Sequence, residues 1–141
     1  MKFRDYFSLK QIVFTIVVFA LFIGFAFWDS ATQVKVTFED TSVTVKCDKY
    51  SMNIPYDMVE SAELAQLAEA GEEVANGADD ETMRSGHWKN DTWGEYFACV
   101  DLEATDCILV HLDDGRLFVF SRKDNKATAE DFAAFQTYLN P

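Results

Sequence analysis

The stretch Thr105-Asp-Cys-Ile-Leu-Val-His-Leu-Asp-Asp-Gly-Arg-Leu-Phe-Val-Phe-Ser121 decides how this chain is read. Two apolar runs, Thr105–Leu112 and Arg116–Ser121, flank Asp113-Asp-Gly115. Each run has the length of a strand and is rich in Val, Ile, Leu and Phe, and Asp114-Gly115 tolerates the positive φ of a tight turn. The expectation is a β-hairpin centred on Asp114-Gly115. That register pairs Leu112 with Leu117 and Val110 with Val119 and sets all four on one face.

Working outward from the hairpin, Glu95–Leu102 reads as another strand. Arg122–Lys126 is a polar loop. Thr128-Ala-Glu-Asp131 has the spacing of a capping box, with Asp in place of Glu, and opens a helix over Ala129–Leu139. Phe132, Phe135, Tyr138 and Leu139 form the helix's apolar stripe. Earlier in the chain, Val34–Phe38 and Val43–Cys47 alternate apolar and polar residues about the turn Glu39-Asp-Thr-Ser42, a second hairpin. Tyr50–Ile54 is a third strand, stopped by Pro55, which has no N–H to donate. Met58–Leu64 continues as a fourth. Residues 65–92 read as an irregular acidic connection: Ala62–Asn76 is helix-prone, Gly71 can end a short helix, and Arg84–Gly94 is rich in turn residues. The fold class is mainly β with a C-terminal α-helix, a bent sheet or partial barrel capped by that one helix.

At the other end, Ile12–Trp28 is seventeen residues without charge. As a helix it spans roughly 25 Å, the lower end of what crosses a bilayer. Lys2, Arg4 and Lys10 precede it against one acid, Asp5, and basic residues mark the cytoplasmic flank of a span. The expected order is a cytoplasmic tail (1–11), a single-pass transmembrane anchor (12–28), a linker (29–33) and an extracytoplasmic domain (34–141). A cleaved signal peptide is the competing reading. Its apolar core would be overlong, and Gly24, Ala26 and Asp29-x-Ala31 make poor cleavage positions.

Residues 29–141 hold nine bases and 23 acids, a net charge of −14. A domain so acidic repels nucleic acid and anionic lipid, and suits cations, basic proteins or plain solubility.

The segment Tyr50-Ser-Met-Asn-Ile-Pro-Tyr-Asp-Met-Val-Glu-Ser-Ala-Glu-Leu64 resembles the early part of bacterial pleckstrin-homology-like (PH-like) domains of unknown function that follow an N-terminal membrane helix. Arg84-x-Gly86, Trp93-Gly-x-Tyr96, the Cys107–Ser121 hairpin and the closing helix after Asp124 and Thr128 resemble the rest. The resemblance covers about residues 34–140. It implies a seven-stranded bent barrel capped by the C-terminal helix, a place in the bacterial cell membrane, and no activity. Phosphoinositide binding does not carry over: Glu39 and Asp40 stand in the first hairpin loop, where the phosphates would sit.

Chemistry-bearing residues are sparse. Two histidines and no Gly-x-Ser-x-Gly elbow give nucleophilic catalysis nothing to stand on, and no carboxylate pair stands out, so neither an enzyme nor a cofactor is expected. Cys107 and His111 share a strand face but lie roughly 13 Å apart along it, too far for one metal ion. The six acids between Glu69 and Glu81 match no calcium loop, although they would be the binding element of a ligand- or cation-responsive envelope sensor. Cys99 and Cys107 fall opposite each other, within disulfide range, if the turn centres near Glu103; two buried free thiols are the favoured reading and the Cys99–Cys107 bridge is the alternative. Trp88, Trp93 and Asp40 are the candidate interaction surface, since aromatics beside polar turns often mark contacts. The expected function is that of a non-catalytic, membrane-tethered interaction module with a protein partner.

Overall fold

The computed structural model describes residues 13–18, 34–47 and 50–140. The chain divides into two units, 1–32 and 33–141. Of the expected anchor, residues 13–18 are helical. The rest of 12–28, the tail and the linker lie outside the described residues. Among the described residues no helix is long and apolar enough to cross a membrane.

In the second unit β1 (Lys35–Phe38), β2 (Ser42–Cys47) and β3 (Tyr50–Pro55) form a three-stranded antiparallel sheet. One 3-10 turn, Tyr56–Met58, leads to β4 (Val59–Gln66). Then follow β5 (Glu72–Asp79), β6 (Met83–Asn90), β7 (Gly94–Asp101), β8 (Asp106–Leu112) and β9 (Leu117–Phe120). These six make a second sheet in the order β4-β8-β9-β7-β6-β5, antiparallel except for the pair β7–β9. The C-terminal helix is Asn125–Leu139. The described chain is therefore mainly β with one C-terminal helix, with nine strands in two sheets where the resemblance implied seven.

Three expectations are corrected. The connection 65–92 is ordered: β4 runs to Gln66, and β5 and β6 occupy Glu72–Asp79 and Met83–Asn90. Helix propensity there amounts to tenths of a kcal/mol per residue, and tertiary pairing overrides it. Ala62–Gln66 is committed to a ladder against Val110–Asp106, and all eight residues of β6 pair with β7.

The second correction concerns the hairpin register, which is shifted by one. Leu109 faces Val119 and Val110 faces Phe118. Gly115 N–H donates to Leu112 O at 3.0 Å, Leu112 N–H donates to Arg116 O at 2.9 Å, and Gly115 has φ 91°. This is a three-residue loop closed by a glycine bulge, not a two-residue turn. One extra residue moves Leu117 and Val119 away from Val110 and Leu112 to the opposite face.

The third correction is the helix start. The helix begins a turn early, with Asp124 at the N-cap accepting from Ala127 N–H at 2.7 Å. Thr128 lies inside it, buried, accepting from Arg122 N–H and donating to Asp124 O.

The core explains why β7, β8 and β9 read as continuous apolar runs: both of their faces are buried. Cys99, Ile108, Val110, Leu112, Phe118 and Phe120 pack against the three-stranded sheet and helix residue Phe135. On the other face lie Tyr96, Ala98, Val100, Cys107, Leu109, Leu117 and Val119. The second face is closed by the link from β4 to β5. Only residues 67–71 join Gln66 to Glu72. They reach at most roughly 20 Å, while five inter-strand steps of a flat sheet come to roughly 24 Å. The sheet must therefore curl. Leu67 and Ala70 pack on its inner cluster, and Arg84, Asn90 and Tyr96 bond the link's carbonyls at Ala68, Glu69 and Ala70.

Candidate functional site

The end of the fold that gathers solvent-facing features is built by β1, the 3-10 turn, the start of β4 and the last turns of the helix. Phe38 stacks on Tyr138 with centroids 5.2 Å apart, and Tyr56 stacks on Tyr138 at 5.4 Å. Phe135 lies beneath, 6.3 Å from Phe38, 6.2 Å from Tyr56 and 6.3 Å from Phe120. Helical spacing puts Phe135 and Tyr138 on one face, so the same helix supplies the buried ring and the exposed one.

Beside this stack lies a groove of about 240 Å³, lined by Tyr56, Val59, Glu60, Ser61, Gln136 and Leu139 among others. Its wall on one side is β4. That strand pairs only with β8, so its outer edge has no strand partner among the described residues. Its other wall is the helix C-terminus, which has no basic residue in its last turn to offset the negative end of the helix dipole. Glu60 adds a carboxylate. Above sits the first hairpin loop, in which Tyr56 O–H donates to Glu39 O at 2.7 Å and Tyr56 N–H to Thr41 O at 3.0 Å. Burial, the Tyr138 hydroxyl and the charges of Glu39 and Asp40 push the Tyr56 phenol up, outweighing the opposing Glu39 bond, so it stays a neutral donor. The groove is thus mostly polar in its lining, with Val59, Ala62 and Leu139 as its apolar part, and negative at its rim.

Of the sequence candidates, Asp40 is exposed at this loop. Trp88 is not a surface residue: it is 8% exposed, inside the second cluster, with Nε1–H donating to Ser85 O at 2.7 Å. Trp93 is half-buried and meets Tyr96 edge-on at 5.1 Å. The two tryptophans and Asp40 are therefore not one surface. Sequence reasoning missed the groove because Glu60, Ser61 and Gln136 stand seventy-odd residues apart and carry no motif.

Cys99 and Cys107 are not cross-strand partners. β9 lies between β7 and β8, and the two thiols point into opposite clusters. All three cysteines are buried, and Cys107 has no second thiol beside it. Four of the six acids of 69–81 are engaged locally. Asp80 accepts from Thr82 N–H, Thr82 O–H and Met83 N–H, Glu73 accepts from Gly77 N–H, Glu69 accepts from the Thr92 hydroxyl, and Asp79 lies 3.7 Å from Arg84. Among the described residues no three His, Cys, Asp or Glu side chains gather as a metal site.

Comparison of the chain with family models, with curated proteins and with solved structures returns no match.

Proposed function

We propose that this chain is a non-catalytic, membrane-tethered interaction module of PH-like type, and that its working surface is the β4 edge together with the groove beside the helix C-terminus. One observation carries this reading: a strand edge without a strand partner among the described residues, a cavity of side-chain size and a negative rim occur in the same place. An extended partner segment would add a strand to β4 through backbone hydrogen bonds. A basic side chain of that segment would enter the groove beside Glu60 and the helix carbonyls. The acidity of the domain favours such a partner and disfavours nucleic acid, anionic lipid and phosphoinositides. The tether is residues 12–28, with the domain outside the cytoplasm.

Peptide display selection on the full chain in mild detergent tests this. The expected outcome is enrichment of extended sequences carrying Lys or Arg. Their binding should weaken about tenfold with Glu60→Lys, one lost charge-assisted contact, and stay unchanged with Glu72→Lys on the far edge. Absence of enrichment, or equal sensitivity to both substitutions, would overturn the assignment.

A further inference from the structure

We propose that Cys47 and Cys99 are joined as a disulfide that staples the three-stranded sheet to the six-stranded sheet. Cys47 is the last residue of β2, and Cys99 lies inside β7. Their Sγ atoms are 2.7 Å apart, and the residues are 1% and 0% exposed. A shift of well under an ångström brings that contact to bonding distance. Nothing else in the core asks for two thiols in contact: a buried free cysteine packs as a small hydrophobe, and Cys107 fills that role alone on the other face. The bond would close a loop spanning 52 positions, long enough to restrict the unfolded chain substantially.

The chemistry balances with a disulfide as oxidant, either a small-molecule disulfide or a dithiol–disulfide exchange protein of an oxidising compartment. One cysteine thiolate attacks the oxidant and releases one thiol. The other thiolate then displaces the second, so two protein thiols become one disulfide and one oxidant disulfide becomes two thiols. In the finished fold the hydrogen bond with Cys47 and burial hold the Cys99 thiol protonated. Exchange therefore belongs to the stage before the two sheets dock, when the thiols are still wet.

The full chain, refolded with oxidised and reduced glutathione in detergent, is denatured and alkylated with N-ethylmaleimide. Without reductant one label is expected, on Cys107; with reductant, three. Digestion should yield a linked peptide pair containing Cys47 and Cys99. Adding reductant to the linked protein should lower its thermal midpoint by roughly 10–15 °C. The Cys107→Ser variant should keep that response, and Cys47→Ala with Cys99→Ala should lose it. Three labels without reductant, a linked pair containing Cys107, a glutathione adduct as the end product, or a linked protein whose midpoint ignores reductant would each overturn the proposal.

Discussion

The six-stranded sheet ends in two edges, and they are built differently. At one end β5 is exposed along almost its whole length, carries Glu72, Glu73 and Asp79, and slips register against β6 twice, between Glu73 and Ala75 and between Ala75 and Ala78. Asn76 sits within the second slip at φ 54°. Bulges and charges are the devices by which natural sheets keep edges from pairing with other chains. At the other end β4 slips once, at its start, and from Ser61 to Gln66 runs in regular register with β8. It exposes Leu64 and has the groove beside it. One edge is blunted and the other is left usable. The contrast locates a binding surface better than the count of acids does, because the acids are densest on the edge least able to pair.

The helix that walls the groove gives the largest expected effect. Phe135 is fully buried at the meeting point of Phe38, Tyr56 and Phe120. Phe135→Ala should cost about 3–5 kcal/mol of unfolding free energy in urea titration. It should also abolish peptide binding at β4 under conditions where the chain stays folded. A loss below about 1 kcal/mol would mean that the helix does not set the β4 side.

On the blunted side the corresponding weak point is Gly86 in β6, opposite the β5 bulge. Its φ is 98°, and a Cβ there would sit 2.2 Å from Asn76 O. Gly86→Ala should destabilise by about 2–3 kcal/mol by forcing β5 away. Peptide binding at β4 should survive in the folded fraction. Loss of binding through Gly86 would show that the edges are coupled, and the comparison between them would fail.

Glu60→Lys is expected to move stability by less than about 0.5 kcal/mol, since the side chain is exposed, while weakening peptide binding. A large stability change would reassign Glu60 from the rim of a site to the support of the helix end.

Much of this architecture is legible in the residues. Alternation in Val34–Phe38 and Val43–Cys47 places the first hairpin, because one face of that sheet is wet and the period of two is visible. The pattern falls silent where both faces are buried. Cys107–Leu112 and Leu117–Phe120 are apolar on every residue but His111, so nothing in them distinguishes two registers one residue apart. The Asp-Asp-Gly loop decides, through a bulge the residue types permit but do not require. Helix propensity misleads at Ala62–Gln66, and the cysteine pairing fails because β9 inserts between β7 and β8, a long-range event. The groove is the least legible feature of all. It exists only where Glu60 and Gln136 meet, and neither side chain is unusual for a surface.

The smallest effect contrasts two carboxylates, one on the helix and one in the turn that follows β5. Asp131, on the helix, has its carboxyl pushed up by burial, with Arg122 at 3.1 Å only partly offsetting it. Asp80, in the turn that follows β5, is held below the ordinary range, chiefly by the backbone N–H of Thr82, then by the Thr82 hydroxyl and the Met83 N–H. Their linkages have opposite sign. The folded state takes up a proton at Asp131 before the unfolded chain does, so its contribution is fully present below the unfolded value and is lost as pH rises through the raised folded value. Asp80 contributes above the unfolded value, and that is lost as pH falls through the lowered folded one. Measured by carbon-detected NMR titration, the Asp131 midpoint should lie above an ordinary aspartate and the Asp80 midpoint below it. In urea melts between pH 3 and 7, Asp80→Ala should flatten the loss of stability on acidification. Asp131→Asn should remove a component that runs the other way, and so steepen that loss. If Asp80→Ala left the slope unchanged or steepened it, the hydrogen-bonded turn after β5 would not be holding its carboxylate ionised, and the ordered reading of that edge would lose its local anchor.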